Sequence, residues 1–201
     1  MPIDVQYPVY LCGENPGLTL YKPGTNQPVA IASYWHVTYS PHGVGNALVL
    51  WLDVPDSPLA SGGIFTDNIS LARILVDTLT RYFPEFSDVP ATALPYHEAH
   101  CAYTFDGSRY VATCQSEGNR ISIEWADLLD RKFLSWTQFP AGEQNFDLHN
   151  IVCPCNSGRI LINNEPVKAS IKTRTLSDGH PSSTAFLAFA ESWVGPLEAG
   201  H

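Results

Sequence analysis

Apolar and polar positions alternate in short runs along most of this chain. In Arg120-Ile121-Ser122-Ile123-Glu124-Trp125 every second residue is apolar, so Ile121, Ile123 and Trp125 share one face of a strand while Ser122 and Glu124 take the other. Val167, Ala169 and Ile171 alternate with Lys168, Ser170 and Lys172 in the same way and predict another half-buried strand with a wet outer face. Val29 to Tyr39, Ala47 to Val54, Tyr110 to Gln115 and Phe133 to Phe139 are runs of β-branched and aromatic residues that predict further strands. Turn signals separate the runs at Pro23-Gly24-Thr25-Asn26, His42-Gly43, Asp56-Ser57-Pro58, Asp106-Gly107, Glu117-Gly118-Asn119, Asn156-Ser157-Gly158, Asn163-Asn164 and Asp178-Gly179. Gly and Asn there supply the positive φ of tight hairpins, and the spacing is that of antiparallel structure.

Ala47-Leu48-Val49-Leu50-Trp51-Leu52 is apolar on both faces, so something must cover its second face. The one long helical pattern, from about Ile69 to Phe83, is the candidate: Leu71, Leu75, Thr78, Leu79 and Tyr82 recur at helical spacing, with Arg73, Asp77 and Arg81 opposite. Asp67 or Asn68 can cap its start, and Pro84 ends it. Thr184 to Trp193 fits two descriptions. Ser182-Ser183 could cap a short helix placing Phe186, Phe189 and Trp193 on one face, whereas the alternation of Ala185, Leu187 and Phe189 fits a last strand whose pattern Glu191 breaks.

About five strands, one helix and about five more strands predict a mainly β fold over residues 1–201 as a single domain. The expected form is an antiparallel β-barrel, calycin- or lipocalin-like in architecture only, or two packed sheets, with one central helix. No family motif matches residue by residue.

Composition narrows the functions open to such a fold. Of 201 residues 44% are hydrophobic and 15% charged, few charges for a globular chain, which points to a large interior or an apolar cavity. With 20 acidic against 11 basic residues the net charge of −9 disfavours nucleic acid and anionic membrane surfaces as partners. Met1-Pro2-Ile3-Asp4 lacks the basic start and apolar stretch of a secretory signal, and the odd, scattered cysteines Cys12, Cys101, Cys114, Cys153 and Cys155 suit reduced thiols, so a cytoplasmic location is expected. No glycine pattern forms a phosphate loop and no serine elbow is present, so no cofactor is expected. A homo-oligomer is compatible with the sequence.

The densest titratable group is Pro95-Tyr96-His97-Glu98-Ala99-His100-Cys101. On an extended segment Tyr96, Glu98 and His100 share a face, and a carboxylate beside an imidazole is a workable acid–base pair. The same residues also fit a solvated strand end. In the strand Ala32 to Tyr39, inward Tyr34, His36 and Thr38 would form a polar patch that orients a ligand, whereas inward Trp35 and Val37 would be ordinary core. His149, Cys153 and Cys155 carry metal-ligating atoms, but their spacing is not that of a structural zinc site, and buried cysteine as a small apolar residue is the plainer account.

These features predict a barrel that binds a small hydrophobic or aromatic molecule in a cavity lined by Trp35, Trp51, Trp125, Trp136, Tyr96 and His97. The alternative is a cofactor-independent hydratase, cyclase or isomerase using Glu98, His100, His36 and Tyr34 for proton transfer in that cavity.

Overall fold

The computed structural model describes residues 8–55 and 57–197; Met1-Pro2-Ile3-Asp4 and Asp56 of the expected turn lie outside the described residues. Five strands precede the helix: β1 (Val9–Glu14), β2 (Gly17–Tyr21), β3 (Pro28–Tyr39), β4 (Gly45–Leu52) and β5 (Gly62–Thr66). After α1 (Ile69–Thr78) come β6 (Tyr96–Glu98), β7 (His100–Phe105), β8 (Arg109–Ser116), β9 (Asn119–Leu128) and β10 (Lys132–Ala141). The chain continues through β11 (Gln144–Ile162), β12 (Glu165–Pro166), β13 (Thr173–Thr175), β14 (Pro181–Ser183) and β15 (Ala185–Leu197). The second half therefore holds ten strands rather than about five, because short pieces such as β6, β12, β13 and β14 carry too few residues for a visible alternation.

All but β13 and β14 join one mixed sheet of thirteen strands, ordered β6-β5-β4-β3-β1-β15-β11-β9-β8-β7 along its main path. β6 runs parallel to β5, the Ala99 N–H donates to the Thr66 carbonyl at 2.8 Å, and β7 then pairs with β8. Both ends of the path thus lie on one run of chain, and the sheet curls into a partial ring of strands.

Two cores follow from the alternation. Ala32, Tyr34, Leu48 and Leu50 pack inside the ring with Ile121, Ile123, Trp125, Cys153 and Leu187. Ile31, Trp35, Val37, Ala47 and Val49 face the other way, onto Leu71, Ala72, Leu75 and Val76 of α1. The helix thus covers the second face of the Ala47–Leu52 run, as the doubly apolar pattern requires. It is capped by Asn68, whose Oδ1 accepts the Leu71 N–H at 3.1 Å while its Nδ2 donates to the Val44 carbonyl at 3.0 Å. Asn68→Ala is expected to cost about 1 kcal/mol in chemical denaturation, mostly from the uncapped first turn.

Three expectations are corrected and one open choice is resolved. The helix stops at Thr78: Leu79 leaves helical angles (φ −123°, ψ −65°) and a tighter turn over Thr80–Tyr82 tucks the buried Thr80 hydroxyl under Trp35, whose Nε1 donates to it at 3.0 Å. Of the two descriptions of Thr184 to Trp193 the strand holds, from Ala185 on, because β15 is held between β1 and β11. Asn156-Ser157-Gly158 is not a turn. It lies within β11, and a Cβ on Gly158 would come within 2.6 Å of Leu18 and 2.8 Å of Ala185, so the glycine answers close packing. Lastly, Val167, Ala169 and Ile171 pack on the inner core as their alternation implies, yet the segment forms only an isolated bridge, Tyr21 to Ser170, rather than a strand.

Candidate functional site

The polar centre of the molecule is built by an irregularity in β15. Ala185, Leu187 and Phe189 point toward the inner core, as alternation dictates. Between the pairs His149–Ser192 and Ile151–Phe189 the ladder slips, so that Ala190 and Glu191 together face Asn150. Ala190 takes the left-handed backbone (φ 50°), which an alanine adopts only at an energetic cost. One extra residue reverses the facing of all that follow, and Trp193 falls into the outer core instead of the inner one. Glu191 is carried with it.

Glu191 is 3% exposed. The Trp193 Nε1 donates to its Oε1 at 2.7 Å and the Asn150 Nδ2 to its Oε2 at 3.3 Å, with the Asn15 amide as a further donor. Asn15 is held in turn by the Ser33 hydroxyl, which donates to its Oδ1 at 2.7 Å. Burial lifts the Glu191 carboxyl to about 7, against the opposing pull of these hydrogen bonds. Asn150 is 7% exposed, and its Oδ1 has no hydrogen-bond partner among the described residues.

Glu191, Asn15 and Asn150 line a cleft of about 470 Å³. Its walls are otherwise mostly apolar: Phe83 from the turns after α1, Phe133, Leu134, Trp136 and Phe139 from β10, Leu148 from β11 and Phe186 from β15. Phe139 stands edge-on to Trp193 and Trp136, with ring centroids 5.2 and 5.1 Å away. Glu85, half-buried in the turn Pro84–Phe86, supplies a second carboxyl, also raised by burial. The volume suits a small organic molecule.

The residues expected to be functional are dispersed. Tyr34 is buried inside the ring and donates to Asn46 Oδ1 at 3.0 Å; His36 Nδ1 meets the same oxygen at 2.9 Å. Glu98 and His100 do share a face, but it is an exposed one, over a shallow polar depression with Asp67, Asn68, Gln115 and Glu117. Asp67 joins the two groups by accepting from the Asn46 backbone and side chain at 2.6 and 2.7 Å. Trp35 and Trp125 are buried in different cores, Trp125 donating to the Gly17 carbonyl at 2.8 Å, and Trp51 lies half-buried against the outer one. His97 stacks on Phe65 with centroids 4.8 Å apart, and Tyr96 lies beneath Arg73. Of that set only Trp136 reaches the cleft. His149 stacks on the exposed Phe133 while Cys153 and Cys155 sit in the inner core, and among the described residues no three His, Cys, Asp or Glu side chains converge as metal ligands.

The chain matches no protein-family model, no curated protein and no solved structure. Among the described residues no helix is long and apolar enough to cross a membrane. Glu191, the residue that sequence reasoning passed over, carried one usable signal: an acidic residue at an alternate position between Phe189 and Trp193, where a purely structural strand would place another apolar side chain.

Proposed function

We propose that this protein binds a small, largely apolar or aromatic molecule in the cleft between β10, β11, β15 and the Phe83–Glu85 turn, with Glu191 and Asn150 as polar anchors. The observation that carries this reading is a buried carboxyl group at the floor of an aromatic-walled cleft. Burying an acid is costly, and an apolar cleft with a few convergent polar groups is the usual form of a small-molecule site. In this reading the ring of strands serves as a barrel-like scaffold with a filled interior, and the ligand sits on its outer side rather than within it.

Aromatic fragments should give saturation-transfer NMR signals with the purified chain. Trp136→Ala should weaken their binding by about tenfold, because a large ring at the wall of a cleft supplies much of the contact area. Trp136 is 47% exposed, so its loss should leave the fold intact. Fragments that bind the variant as well as the parent would place the site elsewhere.

The carboxyl near 7 favours a second reading, a cofactor-independent lyase or isomerase in which Glu191 moves a proton on the bound molecule. The exposed Glu98 and His100 lack the desolvation that such chemistry uses.

A further inference from the structure

Every polar group that the cleft presents near its floor has acceptor capacity to offer. Glu191 and Glu85 are carboxyl groups, and neither is paired with a Lys, Arg or His side chain among the described residues, whose ion pairs are Arg109 and Arg159 with Glu124, and Lys132 and His180 with Asp130. Among the described residues Lys132 is the one cation lining the cleft, and it leans 4.0 Å from Asp130. The Trp193, Asn150 and Asn15 donors use three sites on the Glu191 carboxylate, which offers about four, so at least one is left open. Asn150 adds a buried Oδ1, an acceptor that has no partner among the described residues. Buried acceptors in this state call for a donor-rich ligand group.

An ammonium group answers that demand: it has three donors and no acceptor, and its charge offsets the two carboxylates. Its apolar substituent would lie against Phe83, Phe139 and Trp136, whose ring faces also attract cations. The net charge of −9 draws cations toward the molecule at long range. Resting on the reading of the cleft as a ligand site, we propose that its ligands are organic amines with an apolar or aromatic body, the ammonium nitrogen held by Glu191, Glu85 and Asn150 Oδ1.

Isothermal titration of the full chain at neutral pH with phenethylamine, phenethyl alcohol and hydrocinnamate tests this directly. The three probes share a phenyl body and differ in the head group. The amine should bind at least about tenfold more tightly than the alcohol, and the carboxylate more weakly than either. Glu191→Gln should remove about tenfold of the amine affinity and change the alcohol by less than about twofold. Glu85→Gln, at a half-buried turn position, should act in the same direction and keeps the test decisive if the first variant folds poorly. Alcohol or carboxylate binding as tightly as amine, or amine binding that ignores both substitutions, would overturn the amine assignment and leave the cleft as a site for neutral or acidic molecules. Failure of all three probes to bind would remove the cleft reading together with the amine assignment.

Discussion

Glu191→Gln is expected to melt about 8 °C above the parent chain at pH 8 and at nearly the same temperature near pH 4, measured without added ligand. The reason is the proton balance of folding. In the unfolded chain the carboxyl titrates near its ordinary 4.5, and in the folded protein burial holds it at about 7. Between those values the folded state keeps a proton that the unfolded state has released, so stability falls as pH rises through that window and stays at the lower level above it. The full penalty is on the order of 3 kcal/mol, and glutamine, which cannot ionise, removes it. Glutamine can still accept from Trp193 through its carbonyl, and a turned Asn150 amide can offer its Oδ1, now without a partner, to the new Nε2–H. Thermal unfolding followed by circular dichroism across pH 4 to 8 reads the difference between variant and parent, which cancels the other carboxylates. A variant less stable than the parent at both ends would mean that the hydrogen bonds to the carboxylate outweigh the cost of burying it.

Much of the scaffold is legible in the sequence, because alternation and helical spacing are local properties. Ile121, Ile123 and Trp125 reach the inner core as their period of two requires, and the doubly apolar Ala47–Leu52 run finds its cover in α1. Facing is less legible where both faces are buried. In β3 the question of whether Tyr34 or Trp35 points inward has no exclusive answer, since Tyr34 fills the inner core and Trp35 the outer. That is also why the tryptophans do not gather round one cavity: their strands serve two cores.

The cleft was hidden for a different reason. Its floor depends on one extra residue in β15, and a bulge is defined by the partner strand, here by Asn150 facing both Ala190 and Glu191. Nothing within 185–197 announces where the ladder slips; only the misplaced Glu191 hints that it does. The Glu98 and His100 cluster shows the converse. Its residue types suit proton transfer and its alternation is real, yet the face that they share looks onto solvent beside Asp67 and Glu117. Residue type selects candidates, and burial decides which of them has its chemistry altered.

Gly13→Ala should couple the scaffold to the site. Gly13 lies in β1 opposite Val37 on one side and Glu191 on the other. A Cβ at this position would lie 2.1 Å from the His36 carbonyl oxygen and 3.0 Å from Val37 Cα, both backbone atoms that cannot rotate away. Alanine must therefore push β1 off β3, at a cost on the order of 3 kcal/mol. The same displacement moves Asn15, two residues on, away from its Ser33 donor and from the Glu191 carboxyl, and admits water to that carboxyl. Two changes should follow together: a lower denaturation midpoint, and a Glu191 titration, followed by carboxyl-carbon NMR, that moves from about 7 toward its ordinary value of 4.5. Gly24→Ala is the comparison. Its Cβ would meet nothing within 4 Å, so only the left-handed backbone (φ 73°) opposes it, at about 1 kcal/mol, and the Glu191 titration should not move. If Gly13→Ala were destabilised while Glu191 still titrated near 7, β1 would be yielding without opening the floor of the cleft, and the dry environment of that carboxyl would have to come from Trp193, Phe83 and the β10 wall alone.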